Sequence, residues 1–168
     1  LNGRTKVYDI DLRIGYTGKD YYRRRMAVES PVDIRYELVY ESDKLVVIKK
    51  SAKVAIETYE FDVPQPFKRG KVVGGFGYLI FKDAKKNKLV LVSEDDFLKY
   101  KAEAKSDAFW GKWGDPMRKK TLVHRTTEEL QIDPDKVSPA YAVVEAEEMA
   151  KLDDTGEIHP RHFSEIHK

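Results

Sequence analysis

Residues 71–92 read KVVGGFGYLIFKDAKKNKLVLV, two apolar runs separated by a polar loop. The runs, residues 71–81 and 89–92, have the composition of β-strands, and residues 82–88 have that of a hairpin loop. Three glycines interrupt the first run: Gly74, Gly75 and Gly77. Glycine weakens a strand interior, so these positions indicate a bulge or a close approach of another backbone. The sequence therefore predicts an antiparallel hairpin at the centre of the fold.

Strand-like sequence also precedes the hairpin. Residues 32–40 alternate, with Val32, Ile34, Tyr36, Leu38 and Tyr40 predicted to share one face. Residues 45–48, 54–61 and 7–14 are further predicted strands. Between the first two strands of the chain, Thr17 and Asp20 have the spacing of a capping box, which predicts a short helix to about residue 28.

Helices are predicted to follow the hairpin. Ser93 and Asp96 form a second capping box, before a helix over residues 94–104. Residues 109–114 (FWGKWG) are predicted to form an aromatic loop, and Asp115 is the predicted N-cap of a helix reaching about residue 130. A last helix is predicted from Ser138-Pro139, with one stripe of side chains: Tyr141, Val144, Glu148 and Leu152.

This order of elements predicts an α+β fold, an antiparallel meander of hairpins with helices packed on one face. The 168 residues suit one core. We expect a core domain over residues 1–134, and an acidic C-terminal helix and tail over residues 135–168. The chain opens with Leu1, which we interpret as the start of a fragment. No run approaches the roughly 20 apolar residues of a membrane helix, and the absence of cysteine suits a reducing compartment.

Charge is unevenly distributed along the chain. Residues 1–125 carry 27 Lys/Arg against 18 Asp/Glu, a net charge of +9. Residues 126–168 carry four Lys/Arg against eleven Asp/Glu, a net charge of −7. A basic body attracts phosphate backbones, and the acidic segment could shield that body from nucleic acid or bind a basic partner.

Signatures of enzymes are weak. His159 and His162 lie close together, but in a tail that lacks a predicted frame for a metal. The glycines of the hairpin lie within a strand and do not open a helix, which disfavours a nucleotide site. Residues 94–96 (EDD) are adjacent carboxylates at the predicted start of a helix. There they would interact favourably with the positive end of the helix dipole. We predict no catalytic residue, no metal site and no cofactor.

Two basic helices give a stronger signal. The first carries Arg23, Arg24 and Arg25 after Tyr21-Tyr22. The second carries Arg118, Lys119, Lys120 and Arg125 and begins beside Trp110 and Trp113. Cations that neutralise phosphate, next to aromatic rings that stack on bases, are typical of single-strand binding. Tryptophans pack in cores more often than they stack on bases, so core packing is the favoured interpretation of both.

Three segments together resemble the RecT family of phage single-strand DNA annealing proteins. The first is Ile14-Gly15-Tyr16-Thr17-Gly18 before the basic helix. The second is the glycine-containing hairpin followed by the Ser93-capped helix. The third places Ser106, Trp110 and Met117 before Lys119-Lys120-Thr121 and Arg125. The sequence departs from the family at Gly114, Pro116 and Arg118, and it lacks the family's helical N-terminal part.

The resemblance implies a non-enzymatic protein that binds single-stranded DNA and anneals complementary strands in phage-type recombination. It implies no ATP, with Mg²⁺ at most modulating DNA binding. It also implies a homo-oligomeric ring or helical filament, an exonuclease partner, and action in the cytoplasm of the bacterial host. The DNA-binding residues predicted on this basis share a place in the matching segments or beside them: Tyr16, Arg23, Arg24, Trp110, Trp113, Arg118, Lys119, Lys120, Thr121 and Arg125.

Three other functions remain open at the level of sequence. A passive single-stranded nucleic-acid-binding module would use the same helix and aromatics but would slow annealing. A metal-dependent nuclease would use Asp95 or Asp96 and would need Mg²⁺ to degrade DNA. A structural protein would use the basic surface for protein contacts and would not bind DNA in a salt-sensitive way.

Overall fold

The computed structural model describes residues 15–102, 108–139 and 141–143. Residues 16–136 form one compact unit, and the rest of the chain is assigned to a second unit. In chain order the helices and strands are α1 (Tyr16–Met26), β1 (Asp33–Tyr40), β2 (Lys44–Ile48), β3 (Thr58–Asp62), β4 (Val72–Ile80), β5 (Lys88–Ser93), α2 (Glu94–Ala102), α3 (Ala108–Lys112) and α4 (Gly114–Thr127). Short 3-10 helices occupy Ala84–Lys86 and Pro134–Lys136.

The strands form two antiparallel sheets. One has three strands in the order β1-β4-β5, and the other is the hairpin β2-β3. The predicted hairpin of residues 71–92 is the β4-β5 pair, in which Gly75 pairs with Val92 and Gly77 with Val90. The α+β class and its antiparallel hairpins are therefore confirmed.

The three-stranded sheet separates two apolar layers. Its first face packs against the helices, and the core there contains Leu38, Val92, Phe97, Trp110 and Leu122. Its second face packs against β2 and β3, and that core contains Val39, Phe76, Tyr78 and Leu89. This arrangement follows from the two-residue period of strands, because alternate residues of β1 and β4 point to opposite faces. The helices lie on one face of the sheet, as predicted.

Strand β4 contains both a bulge and a close approach, but only the close approach is made at the glycines. The pairing of β1 with β4 shifts by one residue after Val39, which leaves Val73 as the extra residue of a bulge. A Cβ added at Gly75 would lie 3.1 Å from Cδ2 of Leu122, and one added at Gly77 would overlap the side chain of Thr126. The missing side chains therefore let α4 pack closely against the sheet.

A buried polar network connects the two sheets. The carboxylate of Glu57 accepts hydrogen bonds from Lys49 Nζ at 2.6 Å and from the backbone N–H of Leu89 at 2.5 Å. The Tyr78 hydroxyl donates to the Glu57 carbonyl at 2.8 Å and accepts from Asn87 Nδ2 at 2.9 Å. A buried carboxylate requires such partners. Glu57 lies in the loop before β3, and its side chain reaches into this network. The predicted strand over residues 54–61 is correct only in its second half.

Helix starts were predicted with mixed success. The Ser93 capping box is confirmed, since Ser93 Oγ accepts the Asp96 N–H at 3.2 Å and Asp96 Oδ2 accepts the Ser93 N–H at 3.2 Å. The Thr17 capping box is wrong, because α1 already begins at Tyr16. The N-cap at Asp115 is also wrong, because Trp113 occupies that position and makes no side-chain cap hydrogen bond.

The remaining predictions concern the ends of the chain and the aromatic segment. The predicted aromatic loop is largely the short helix α3, Ala108–Lys112. Helix α4 ends at Thr127, before the predicted end near residue 130. Ser138 Oγ accepts the Tyr141 N–H at 3.2 Å, and residues 139 and 141–143 are helical. The predicted strand over residues 7–14 and the helical stripe beyond residue 143 lie outside the described residues.

Candidate nucleic-acid interface

Helices α1 and α4 pack together on the sheet and carry most of the predicted DNA-binding residues. Their acidic residues are bound to the strand beneath them. The Tyr36 hydroxyl of β1 donates to Asp20 of α1 at 2.7 Å, and the Tyr40 hydroxyl donates to Asp115 of α4 at 2.9 Å. Burial, together with the hydrogen bond to Asp20, raises the pKa of Tyr36. Both carboxylates thus serve to hold the helices on the sheet.

Most of the predicted arginines take part in intramolecular contacts. Arg118 forms an ion pair with Glu94 of α2, in which Nε lies 2.8 Å from Oε2, and its Nη1 lies 3.4 Å from Asp115. Arg125 forms an ion pair with Glu128 at 3.0 Å. A phosphate that bound these guanidinium groups would have to compete with a carboxylate already in place.

The arginines of α1 are engaged in a similar way. Arg24 Nε lies 3.7 Å from an Asp20 oxygen. Arg23 Nε donates to the carbonyl of Thr127 at 3.3 Å, which ties α1 to the end of α4. Arg25 donates to the Tyr21 hydroxyl at 2.7 Å on the exposed side of the helix. The three consecutive arginines thus have three different partners.

Lys119 and Lys120 differ from these arginines. Both are exposed on α4, and within the part of the chain that the structure describes neither ammonium group has a hydrogen-bond or ion-pair partner. The two cations lie on successive residues, and neither is held by a carboxylate of the described part of the chain. They are therefore available to phosphate without the loss of another contact.

His124 lies close to Lys120 on α4 and to two cations of α1. Burial lowers the pKa of His124, and the positive charges of Lys19, Lys120 and Arg23 lower it further, while Glu128 opposes them. The imidazole is consequently neutral at pH 7 and lies among three cations contributed by both helices. Lys19, Arg23, Lys120 and His124 form what we call the α1–α4 basic surface, and we include in it Lys119, the exposed residue that precedes Lys120 on α4.

Two predicted site residues lie in the core. The Trp110 side chain is only 6% exposed and packs in the helix-side core. Thr121 is 8% exposed, and its hydroxyl donates to the Met117 carbonyl at 3.1 Å. Core packing, the favoured interpretation of the tryptophans, applies to Trp110, and we leave both residues out of the interface.

The other aromatic residues lie on the surface. Trp113 is 51% exposed at the start of α4, with Lys112 Nζ 5.4 Å from the ring centroid. Tyr16 is 40% exposed at the start of α1. Both rings are accessible to a stacking base.

The structure brings Arg23 and Lys120 together, as members of one surface. It adds Lys19 and His124, which were not among the predicted site residues. The available signal was helical spacing, because Lys19 and Arg23, like Lys120 and His124, lie four residues apart on one helix face. Arg118 and Arg125, by contrast, lie in ion pairs.

Two of the three adjacent carboxylates of residues 94–96 have structural partners. Glu94 binds Arg118, and Asp96 accepts hydrogen bonds from Ser93 and Lys99, which lower the pKa of Asp96 to about 2. Among the described residues, no group of three or more histidines and carboxylates is placed to hold a metal ion. His159 and His162 lie outside them. No helix within the described part of the chain is long and apolar enough to cross a membrane.

A basic helical surface on an antiparallel sheet is typical of a nucleic-acid-binding protein. The family model of the RecT family matches residues 3–161, nearly the whole chain. The chain therefore belongs to the RecT family, which implies DNA binding and single-strand annealing in recombination. No curated protein matches the chain.

Proposed function

We propose that this protein binds single-stranded DNA along the α1–α4 basic surface and anneals complementary strands without ATP. The observation that carries the proposal is that Lys119 and Lys120 are exposed and have no ion-pair partner among the described residues, with Lys120 close to three further basic groups. Annealing brings two polyanions together, so cations must offset phosphate repulsion while base edges stay free to pair.

We further propose that it acts as a homo-oligomer, in a ring or helical filament, on strands supplied by an exonuclease partner. Membership of the family supports this view. Annealing by positioned cations requires no catalytic residue, and we propose that the protein is not an enzyme. Its place of action would be the cytoplasm of the bacterial host.

A strand-annealing assay tests the proposal. Two complementary oligonucleotides, labelled with a donor and an acceptor dye, are mixed with and without the protein in the absence of ATP. We expect faster duplex formation with the protein, and slower formation in the Lys119→Ala/Lys120→Ala variant than in wild type. A wild-type protein that binds the strands but slows their pairing would be a passive binder, and the proposal would be wrong.

The same reaction distinguishes the other two functions. Loss of labelled DNA that requires Mg²⁺ and disappears in Asp95→Ala or Asp96→Ala would indicate a nuclease. Absence of any salt-sensitive DNA binding would indicate a structural protein that uses its basic surface for protein contacts.

A further inference from the structure

The loop between β3 and β4 presents an aromatic side chain to solvent. Phe67 is 98% exposed, the most exposed large hydrophobic residue among those described. Burial of a phenylalanine ring is strongly favourable, so a ring held fully in water gains most from binding a partner. Phe67 is not a member of the α1–α4 basic surface, and it was not among the residues predicted to bind DNA.

The tip of this loop is a defined turn. The Lys68 N–H donates to the Gln65 carbonyl at 3.0 Å, which closes a four-residue β-turn. Pro66 occupies the second position of the turn, where its fixed φ is suited, and Phe67 occupies the third. The proline limits the conformations of the turn, so the ring is held outward before any partner arrives.

The root of the loop is fixed to the core. Arg69 Nε donates to Asp43 Oδ1 at 3.0 Å, and Asp43 has a fully buried side chain. The guanidinium also donates to the Leu38 carbonyl at 3.0 Å and lies 4.1 Å from the centroid of the Tyr40 ring. Since the Tyr40 hydroxyl in turn binds Asp115 of α4, the root of the loop is joined to the start of that helix, where Trp113 is exposed.

Two exposed lysines lie close to Phe67 in the sequence. Lys68 follows Phe67 directly and Lys71 ends the loop, and both side chains are exposed with no ion-pair partner among the described residues. A ligand that suits this tip has a flat apolar face and negative charge beside it. A nucleotide with an unstacked base has both features, whereas an apolar protein pocket would account for the ring and leave the cations unexplained.

We propose that Phe67 is a stacking platform for a base of single-stranded DNA, with Lys68 and Lys71 binding the adjacent phosphates. This inference rests on the proposed function, because it assigns a second contact to the same strand. It extends the DNA-binding surface from α4 to the β3–β4 loop.

The test separates stacking from phosphate binding by the choice of strand. The full chain is titrated with an oligo-dT strand and with an abasic strand of equal length and equal phosphate number. We expect Phe67→Ala to lower the affinity for oligo-dT by about fivefold or more and to leave the affinity for the abasic strand unchanged. Lys119→Ala/Lys120→Ala should lower the affinity for both strands by the same factor.

Two matched substitutions distinguish stacking from simple apolar burial. Phe67→Trp keeps an aromatic face and should retain the affinity for oligo-dT. Phe67→Leu keeps apolar bulk without a π-face. Its affinity for oligo-dT should therefore fall as far as that of Phe67→Ala. Because the Phe67 side chain is 98% exposed, all three variants should melt at the wild-type temperature.

Several results would overturn the inference. These are unchanged oligo-dT affinity in Phe67→Ala, equal losses on both strands, or full affinity in Phe67→Leu. A smaller sedimenting species in Phe67→Ala, with an unchanged ratio of oligo-dT to abasic affinity, would assign the ring to a contact between copies of the chain. If Lys119→Ala/Lys120→Ala weakens binding and Phe67→Ala does not, the inference fails and the proposed function stands. If wild type binds neither strand, both fail.

Discussion

Replacing Lys119 and Lys120 with alanine is expected to reduce the salt dependence of DNA binding. Both ammonium groups are exposed and unpaired among the described residues, so each is counted as one phosphate contact. For single strands the logarithmic salt slope changes by roughly 0.7 per contact, which gives a decrease of about 1.4 for the pair. Between 50 and 200 mM salt, the loss of affinity should then be about sevenfold smaller in the variant than in wild type.

Fluorescence-anisotropy titrations at four or five salt concentrations measure that slope. The control is Lys82→Ala/Lys85→Ala, which removes the same charge from exposed lysines of the β4–β5 loop. If both variants change the slope equally, net charge and not the α4 site controls binding. A lower melting temperature with an unchanged slope would mean that the lysine stems cover the apolar core, and the assignment to phosphate would be refuted.

Three further predictions concern packing, capping and the acidic segment. Gly77→Ala should destabilise the fold by about 1–3 kcal/mol, because the new methyl group overlaps α4. The control Gly111→Ala has open space at its Cβ and should be neutral or stabilising. Equal melting temperatures of the two variants would contradict this. Ser93→Ala should cost about 1 kcal/mol at neutral pH. The folded pKa of Asp96, about 2, lies below its ordinary value, so the contribution of the Asp96 carboxylate to this capping box is present above about pH 4 and is lost as the pH falls toward 2. A difference between the urea midpoints of wild type and Ser93→Ala that does not shrink at low pH would contradict it. Truncation after Lys136 removes seven Asp/Glu and three Lys/Arg. It should tighten DNA binding at low salt without lowering the melting temperature. Weaker binding would disprove the idea that the acidic segment shields the basic body from DNA.

Much of the sheet could be predicted because strand periodicity reports exposure directly. The alternation of Ile34, Tyr36, Leu38 and Tyr40 placed them correctly on one face of β1. The Ser93 box was also predictable, since a capping box needs only four consecutive residues. The Thr17 box failed for a tertiary reason, because Asp20 accepts a hydrogen bond from Tyr36 on a strand sixteen residues away.

The candidate site could be predicted only in part, because a cation's partner lies elsewhere in the sequence. Arg118 and Lys119 look alike in a count of charge, yet Arg118 binds Glu94, twenty-four residues earlier. Trp110 and Trp113 look alike as aromatic residues, but only Trp113 is on the surface. Phe67 gave no signal, since it lies in neither a basic helix nor an amphipathic one. Contacts distant in sequence decided the cases of Arg118 and Trp110.

The glycines of β4 connect the core to the proposed DNA-binding surface. Because Gly75 and Gly77 lack side chains, Leu122 and Thr126 pack directly on the strand. That contact fixes which side of α4 faces the sheet, and Lys119 and Lys120 lie on the side left to solvent. The Tyr40–Asp115 hydrogen bond fixes the start of the same helix. The orientation of the unpaired cations therefore depends on residues that touch no DNA, and a core substitution that rotates α4 should weaken strand binding while the net charge of the protein stays the same.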